Sequence, residues 1–530
     1  MQAWLASSLR RFYPSSPAEP TLQALEAARG ERVSFQAVFR TNAREECVEA
    51  RVEAADGLSA TIRRVGYVPV THLSTQTPLS DLDGVGYLPG YAPDPLLPET
   101  SVYAGPFETN AFWITLGVSA NLPPGSYRVL VTLVGDVSGP VTLALTLTVS
   151  AVVLPRRNLP VTNWLYADAL CDHYGIELTD DRFWRIFEPY VDDIVTHGQD
   201  TLYVPVFTPP LDGVKRPTQL LGVERSADGG YRLDWSLVRR WVELGRARGV
   251  SNFEWVHLFT QWGARNALRI YEGHGEGERL LWPPETEATS ETYRGFLGQY
   301  LRELERLLAE ESLLERSFFH LSDEPHGESD LVTYRAARDL LRELAPWMRV
   351  MDALSEIEFA REGVTDIPVP LITTAPDFVA EGIPAWAYFC TQPRGRYLNR
   401  LLDTPLVKIR MSGWLLYKLR AQGFLHWGYN YWYRRQTRDL IDPYKVTDAH
   451  AWPAWPPGDP FQVYPGPAGP VDSLRWEVFA ESLQDYALLQ AADIDPDDAL
   501  LADIQSYAEF PRDPSWLEQR RSILLGGGPA

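Results

Sequence analysis

Asp323 and Glu324 stand side by side at the end of the run Phe318-Phe319-His320-Leu321-Ser322, and Pro325 follows almost at once. The apolar run reads as a strand that delivers two carboxyl groups to a rim, where the proline ends regular backbone. Adjacent carboxyl groups disfavour simultaneous ionisation, so keeping them together is costly unless something uses them. A glycoside-cleaving site uses such a pair, with one acid donating a proton to the leaving oxygen while its neighbour stays ionised. The structural alternative has the pair capping the next helix. Ser329 and Asp330, directly before Leu331, are better placed for that role.

A two-carboxylate retaining site needs a second acid after a distant strand. The seventh expected strand ends Tyr388-Phe389-Cys390-Thr391-Gln392, and the eighth runs into Gly428-Tyr429-Asn430-Tyr431-Trp432, both without one. That absence points to substrate-assisted catalysis, in which the sugar's own 2-acetamido group attacks its anomeric carbon and gives an oxazolinium ion. Asp323 then orients the acetamido N–H and balances the developing charge, while Glu324 donates to the leaving oxygen and later activates water. An enzymic nucleophile, if one exists, is nearest at Asp352, Glu356 or Glu358.

The elements that must position this pair fall into two groups. Up to residue 155 the sequence alternates with period two, as in Val33–Phe39, Tyr127–Leu133 and Val141–Val149, and predicts an antiparallel β-sandwich with one face of each sheet buried. The Pro- and Gly-rich stretch Tyr87–Pro98 reads as a loop between strands. From residue 156 to 530 short apolar runs alternate with amphipathic segments. Strands are expected at Trp164–Ala167, Thr201–Phe207, Phe253–Phe259, Ser317–Leu321, Met348–Ala353, Val369–Thr373, Ala385–Phe389 and Gly423–Trp427. Helices are expected near Asp181–His197, Trp235–Arg248, Leu331–Leu344 and Leu474–Gln490, and the stripe Phe296, Leu297, Tyr300, Leu301, Leu304, Leu307, Leu308 marks another. Eight alternations predict a (β/α)8 TIM-type barrel whose active site lies at the C-terminal ends of the strands. The Pro-rich stretch 452–470 is expected over that face. No Gly-rich phosphate-binding turn supports a doubly wound sheet instead.

Composition narrows the partners. The 530 residues carry a formal charge of −21, which repels nucleic acid and anionic membrane surfaces. Eighteen Trp and 25 Tyr suit a cleft where sugar C–H faces stack on rings. Cys47, Cys171 and Cys390 are too few and too scattered for a disulfide framework or zinc site. His257, His320 and His326 sit on different elements without ligand spacing and read as hydrogen-bonding histidines. No cofactor or metal is implied. No apolar run spans a bilayer, and Arg10 and Arg11 follow rather than precede the short apolar start, so the expected location is cytoplasmic, or secreted if a signal was removed. A homo-oligomer is compatible with all of this.

The stretch His320-Leu321-Ser322-Asp323-Glu324-Pro325 resembles the acid-pair motif of the glycoside hydrolase family 123 catalytic domain. Trp386–Cys390, Gly423–Trp432 and the closing segments Arg475-Trp476-Glu477 and Leu483-Gln484-Asp485-Tyr486 are similar to its late barrel and terminal helix. The likeness covers roughly residues 155–490, and the preceding β region is similar to that family's N-terminal domain. It implies a retaining β-N-acetylgalactosaminidase using the acetamido mechanism, with Asp323 as the stabilising residue and Glu324 as the acid/base. Further candidates for contact with a glycan substrate are Tyr388 on the acetamido carbonyl, Trp427 and Trp432 as an apolar wall, and Asn430 on a hydroxyl. His257, Gln261 and Trp262 near the end of strand three, and Asp168 with His173 after strand one, complete the set. Two rivals stay open: a barrel glycosidase acting on a sugar without the acetamido group, and a carbohydrate-binding protein without turnover.

Overall fold

The computed structural model describes residues 1–210, 218–227, 229–273 and 277–526. The N-terminal part is two five-stranded sheets. One has the order Gln2–Ser7, Arg32–Arg40, Thr109–Val118, Leu58–Val70, Gly90–Leu97; the other runs Ala24–Arg29, Gly139–Val153, Gly125–Gly135, Glu46–Glu53, Ser101–Ala104. All pairings are antiparallel except that of Ala24–Arg29 with Gly139–Val153. Phe35, Phe39, Phe112 and Ile114 of the first sheet meet Val129, Val131, Leu145 and Leu147 of the second in a shared core.

The second sheet keeps the alternation of its sequence, with every other residue of Thr142–Thr148 exposed. The first sheet does not. Arg32–Arg40 is buried at all seven interior positions, because its other face packs on the C-terminal region through Trp4, Val38, Val68 and Trp113. Polar residues that alternation assigns to solvent are therefore buried: the Ser34 N–H donates across to Glu481 Oε1 at 3.0 Å, and Gln36 donates within its own region to the carbonyls of Ser7 and Arg10. The expectation of one buried face fails here because a second layer covers the sheet.

The stretch Tyr87–Pro98, expected as a loop, contains the strand Gly90–Leu97, paired with Leu58–Val70. Two prolines are tolerated because this is the edge strand of its sheet. Its Asp94 is fully buried and accepts from the guanidinium of Arg475, whose remaining N–H groups go to the carbonyls of Arg400, Gly458 and Phe461.

In the C-terminal region short parallel strands alternate with helices. Val161–Asn163 pairs with Phe424–His426, which pairs with Ala387–Tyr388. Thr201–Val204 pairs with Asn252–Trp255, which pairs with Ser317–Phe319, and Met351–Ala353 pairs with Ile367–Val369. Single bridges, Phe319 to Val350 and Leu371 to Tyr388, link these groups. Between Val161–Asn163 and Thr201–Val204 the Gln199 side chain accepts the Asn163 N–H and donates to the carbonyls of Asn163 and Thr201. The result is three parallel sheets joined by bridges and a side-chain seam, not one continuous closed ladder of the expected (β/α)8 kind.

Strand one lies at Val161–Asn163, ahead of the expected Trp164–Ala167, and Ala167 already begins a helix through Tyr174. The aromatic run Trp164-Leu165-Tyr166 looked like a strand because its side chains are buried. It is a crossing segment, fixed where the Tyr166 N–H meets Asn430. The helix after the acid pair spans Gly327–Leu344, starting four residues before Leu331, so Asp330 lies in its first turn and accepts the His326 N–H. The other helices agree closely with the sequence: Asp181–Thr196, Ser236–Ala247, Glu291–Glu310 and Leu474–Ala491. Among the described residues no helix is long and apolar enough to cross a membrane.

Candidate active site

Ser317–Phe319 is too short to carry the acid pair itself; the chain leaves it through His320, Leu321 and Ser322, all fully buried. These residues are gripped from both sides. The His320 imidazole meets Glu254 through Nε2 at 2.6 Å and Asp352 through Nδ1 at 3.0 Å. Asp352 also accepts the N–H groups of Leu321 and Ser322 and the Tyr334 hydroxyl at 2.5 Å. Glu254 accepts from Thr162 and from the Trp164 indole. Burial disfavours the His320 cation, but the hydrogen bonds it donates to its two carboxylates outweigh this and raise its pKa to about 10. A buried cation between two anions thus ties the strands carrying residues 162, 254, 320 and 352 into one frame.

On top of that frame sit the pair. Asp323 is 6% exposed and accepts from the Gln261 amide at 2.8 Å, while its carbonyl accepts the Trp262 N–H. The Glu324 N–H donates to the carbonyl of Ala353, and its backbone is left-handed at φ 43°. A left-handed conformation is uncommon for a residue with a side chain and is retained where surroundings over-determine it. Here it turns the Glu324 carboxyl back toward Tyr388, whose hydroxyl donates to Oε1 at 2.9 Å. Burial and the Glu324 carboxylate hold the Tyr388 phenol well above its ordinary range, so it acts as a donor.

Both acids open into a cleft of about 110 Å³ lined also by Trp164, Gln261, Ala353, Tyr388, Cys390, Thr391, Leu425, Trp427 and Trp455. Trp427 packs edge-on against Tyr431 and Trp455 and donates its indole N–H to Asp459 at 3.0 Å. Burial raises the Asp459 carboxyl to about 7, partly offset by Trp427 and by Arg400, Arg394 and Arg475. Burial, then Asp459 and Glu324, push the Cys390 thiol well up, so it is a neutral wall rather than a nucleophile. Trp455 brings the stretch 452–470 into the cleft wall.

The structure brings together Asp323, Glu324, Tyr388, Trp427 and Gln261. It places the other candidates elsewhere. Asn430 is fully buried and uses its amide on both backbone groups of Tyr166. Trp432 is buried against His173 and Tyr190 and donates to the Val463 carbonyl. Asp168 is buried in the first turn of its helix and accepts the Ala169 N–H. His257 lies beneath the site, stacked on His320 with ring centres 4.3 Å apart and bonded to the Tyr203 hydroxyl. Burial and the neighbouring His320 lower its pKa well below the ordinary value, so it is neutral. None of these four lines the cleft. His257, His320 and Asp352 bring ligand atoms within 4.8 Å of one another, yet both His320 nitrogens are already committed to carboxylates.

The cleft also uses residues that sequence reasoning passed over. Trp164, expected in a strand, lines the cleft and donates its indole N–H to Glu254. Thr391 and Cys390 follow an expected strand and Trp455 lies in the stretch expected over the active-site face, but nothing in their residue types marks them as lining the cleft.

Residues 164–492 match the family model for the glycoside hydrolase 123 catalytic domain, more than half of the chain. None of the curated proteins matches the chain in sequence. Among solved structures it is similar to a family 123 glycoside hydrolase from Clostridium perfringens, studied for glycolipid glycan hydrolysis. That likeness has TM-score 0.75 at 14% identity, over 99% of this chain and 97% of the other, and shows the fold. A GH2 β-galacturonidase from Eisenbergiella tayi (TM-score 0.33, 10% identity, 86% of this chain and 69% of that one) is much less similar and carries no weight. The matched region contains the acid pair, its buried frame and the aromatic cleft: the chain is a glycoside hydrolase and belongs to glycoside hydrolase family 123.

Proposed function

We propose that the enzyme removes a terminal β-linked N-acetylhexosamine, with N-acetylgalactosamine as the preferred sugar, by substrate-assisted catalysis with retention. The observation that carries this reading is that Asp323 and Glu324 are the only carboxylates among the described residues lining the cleft. Asp352, the nearest alternative nucleophile, already receives His320, Tyr334 and two backbone N–H groups, which leaves it poorly available for attack. Glu356 is engaged by the Gly327 N–H.

In the first step Glu324 gives its proton to the leaving oxygen. The acetamido carbonyl oxygen bonds to C1 as the glycosidic bond breaks, and Asp323 accepts the acetamido N–H and balances the oxazolinium charge. In the second step the Glu324 carboxylate takes a proton from water as that water bonds to C1 and the oxazolinium ring opens. Tyr388 donates to Glu324 in the structure; serving the acetamido carbonyl requires its hydroxyl to change partner during the first step. Trp427 and Trp455 supply the apolar surface for the acetamido methyl or the ring. We read the parallel strands, closed by their bridges and the Gln199 seam, as a (β/α)8 barrel, preceded by a sandwich over residues 1–155. The glycolipid glycans studied with the Clostridium perfringens enzyme make a glycolipid headgroup a natural aglycone to test.

The test is a panel of 4-nitrophenyl glycosides. The expected result is release from the β-N-acetylgalactosaminide, less from the β-N-acetylglucosaminide, none from plain β-galactoside, and inhibition by a thiazoline mimic of the oxazolinium ion. Turnover of the plain galactoside rules out the acetamido mechanism.

A further inference from the structure

A second hollow, of about 570 Å³, opens beside the acid pair and shares Gln261 with the cleft. Its lining includes Trp262, Arg265, Asn266, Arg269 and Tyr271. Among the described lining residues its one acid is Asp330, and that carboxylate is already committed, accepting from Arg265 at 2.8 Å and from the His326 N–H at 3.1 Å. A chain of net charge −21 thus presents a locally cationic groove at the flank of its acid pair.

The groove is built, not incidental. Trp262, Gly263 and Ala264 are consecutive left-handed residues at φ 59°, 98° and 53°. Such a run is strained for Trp and Ala and persists only where the surroundings impose it. Here they do. The Trp262 N–H donates to the Asp323 carbonyl, the Thr333 hydroxyl donates to the Gly263 carbonyl, and Gly263 lies so close to Asp330 that a Cβ would stand 2.7 Å from its carboxyl group. The outcome is an indole 49% exposed, although its backbone is bonded directly to a residue of the acid pair. A large apolar ring held in water at that position is an open stacking surface.

We infer that this hollow is the aglycone subsite and selects an acidic sugar. Trp262 stacks on the residue next to the scissile bond, and Arg269 binds a carboxylate or sulfate ester on it, the anions that a guanidinium fork matches best, while Arg265 stays paired with Asp330 at the rim. The inference rests on the proposed hydrolase reading and names the part of the substrate that reading left unspecified.

Three disaccharide methyl glycosides test it: β-N-acetylgalactosaminyl-(1→4)-glucose, its glucuronate counterpart and its glucose 6-sulfate counterpart, which differ only at C6. The expected result is a kcat/KM about tenfold higher on at least one acidic substrate than on the neutral one. That preference shrinks as salt rises from about 0.05 M to about 0.5 M. Arg269→Gln brings the acidic-to-neutral ratio toward one, and Trp262→Ala raises KM on all three while the melting temperature stays near that of the unmodified enzyme. A preference for glucuronate alone or for sulfate alone supports the subsite and names its anion. Equal kcat/KM on all three substrates, or a preference that Arg269→Gln leaves intact, overturns it. If neither these substrates nor the 4-nitrophenyl glycoside is cleaved, the proposed N-acetylgalactosaminidase reading itself has failed. Calorimetric titration of the unmodified protein then decides the groove separately: about tenfold tighter binding of an acidic disaccharide supports it, and equal binding overturns it.

Discussion

Two pairs of carboxylates frame this site, one on each side of the segment from His320 to Ser322, and they are treated in opposite ways. Glu254 and Asp352 are fully buried, share the His320 cation, and are surrounded by hydroxyl, indole and backbone donors. Asp323 and Glu324 receive the Gln261 amide and the Tyr388 hydroxyl and face an open cleft. Acids whose lone pairs are satisfied by protein are structural fixtures. Acids with lone pairs directed into a hollow can act on something else. Closeness of two acids in space is thus weaker evidence for chemistry than where their oxygens point.

The largest effect should come from the open pair. Glu324→Gln is expected to lower kcat/KM about 10³-fold on a sugar aglycone, and less on 4-nitrophenol, which leaves with little help from an acid. Asp323→Asn should lower it about 10²-fold on both, because charge at the oxazolinium ion is lost whatever the leaving group. Steady-state kinetics on the two substrate types separates the roles, and equal losses on both for Glu324→Gln would contradict its role as acid.

The committed pair should answer in stability instead. Asp352→Ala leaves a buried cation short of a partner and strands the Tyr334 hydroxyl with two N–H groups, a loss of roughly 3–5 kcal/mol measurable by denaturant unfolding. If Asp352→Ala abolished turnover while leaving the unfolding curve in place, the division between the pairs would be wrong.

A smaller effect concerns pH. His320 and His197 are each raised to about 10 from an ordinary 6.5, with burial opposing and neighbouring carboxylates prevailing. A raised histidine contributes stability that is complete below pH 6.5 and lost as pH climbs through about 10. Unfolding free energy should fall across that window, and His320→Gln should flatten the slope; an unchanged slope in that variant removes His320 as a source. Smallest of all, Trp427→Phe keeps a ring in the cleft but deprives Asp459 of a donor. It should cost about 1 kcal/mol by thermal unfolding, with no change in sugar preference.

Legibility in the sequence followed the range of the interactions. Asp323 and Glu324 could be read because a strand exit and a proline act locally, and Tyr388 and Trp427 because they sit on the equivalent exits of later strands. Asn430 and Trp432 share that neighbourhood, but contacts with Tyr166 and Val463, far away in sequence, turn them inward. His257 reads as a substrate contact near the end of its strand, yet stacking on His320 makes it part of the foundation. Trp164 was misplaced for the opposite reason: buried aromatics imitate a strand wherever they occur. Gly90–Leu97 was hidden by its prolines, which are tolerated at a sheet edge. The sheet carrying Ser34 and Gln36 shows the general limit, since alternation records one partner surface and cannot announce a second.

That doubly covered sheet has a consequence for modularity. A domain joined by a linker can be trimmed, swapped or lost without disturbing its neighbour. Here Trp4, Val38, Val68 and Trp113 belong to the same apolar body as the catalytic region, and Asp94 provides the counter-ion to Arg475 deep between the two. Cutting the chain between them would bare a hydrophobic wall on one fragment and leave an unpaired guanidinium buried in the other. The two regions therefore have to be handled together, and any chimera has to carry Asp94 and Arg475 as a pair.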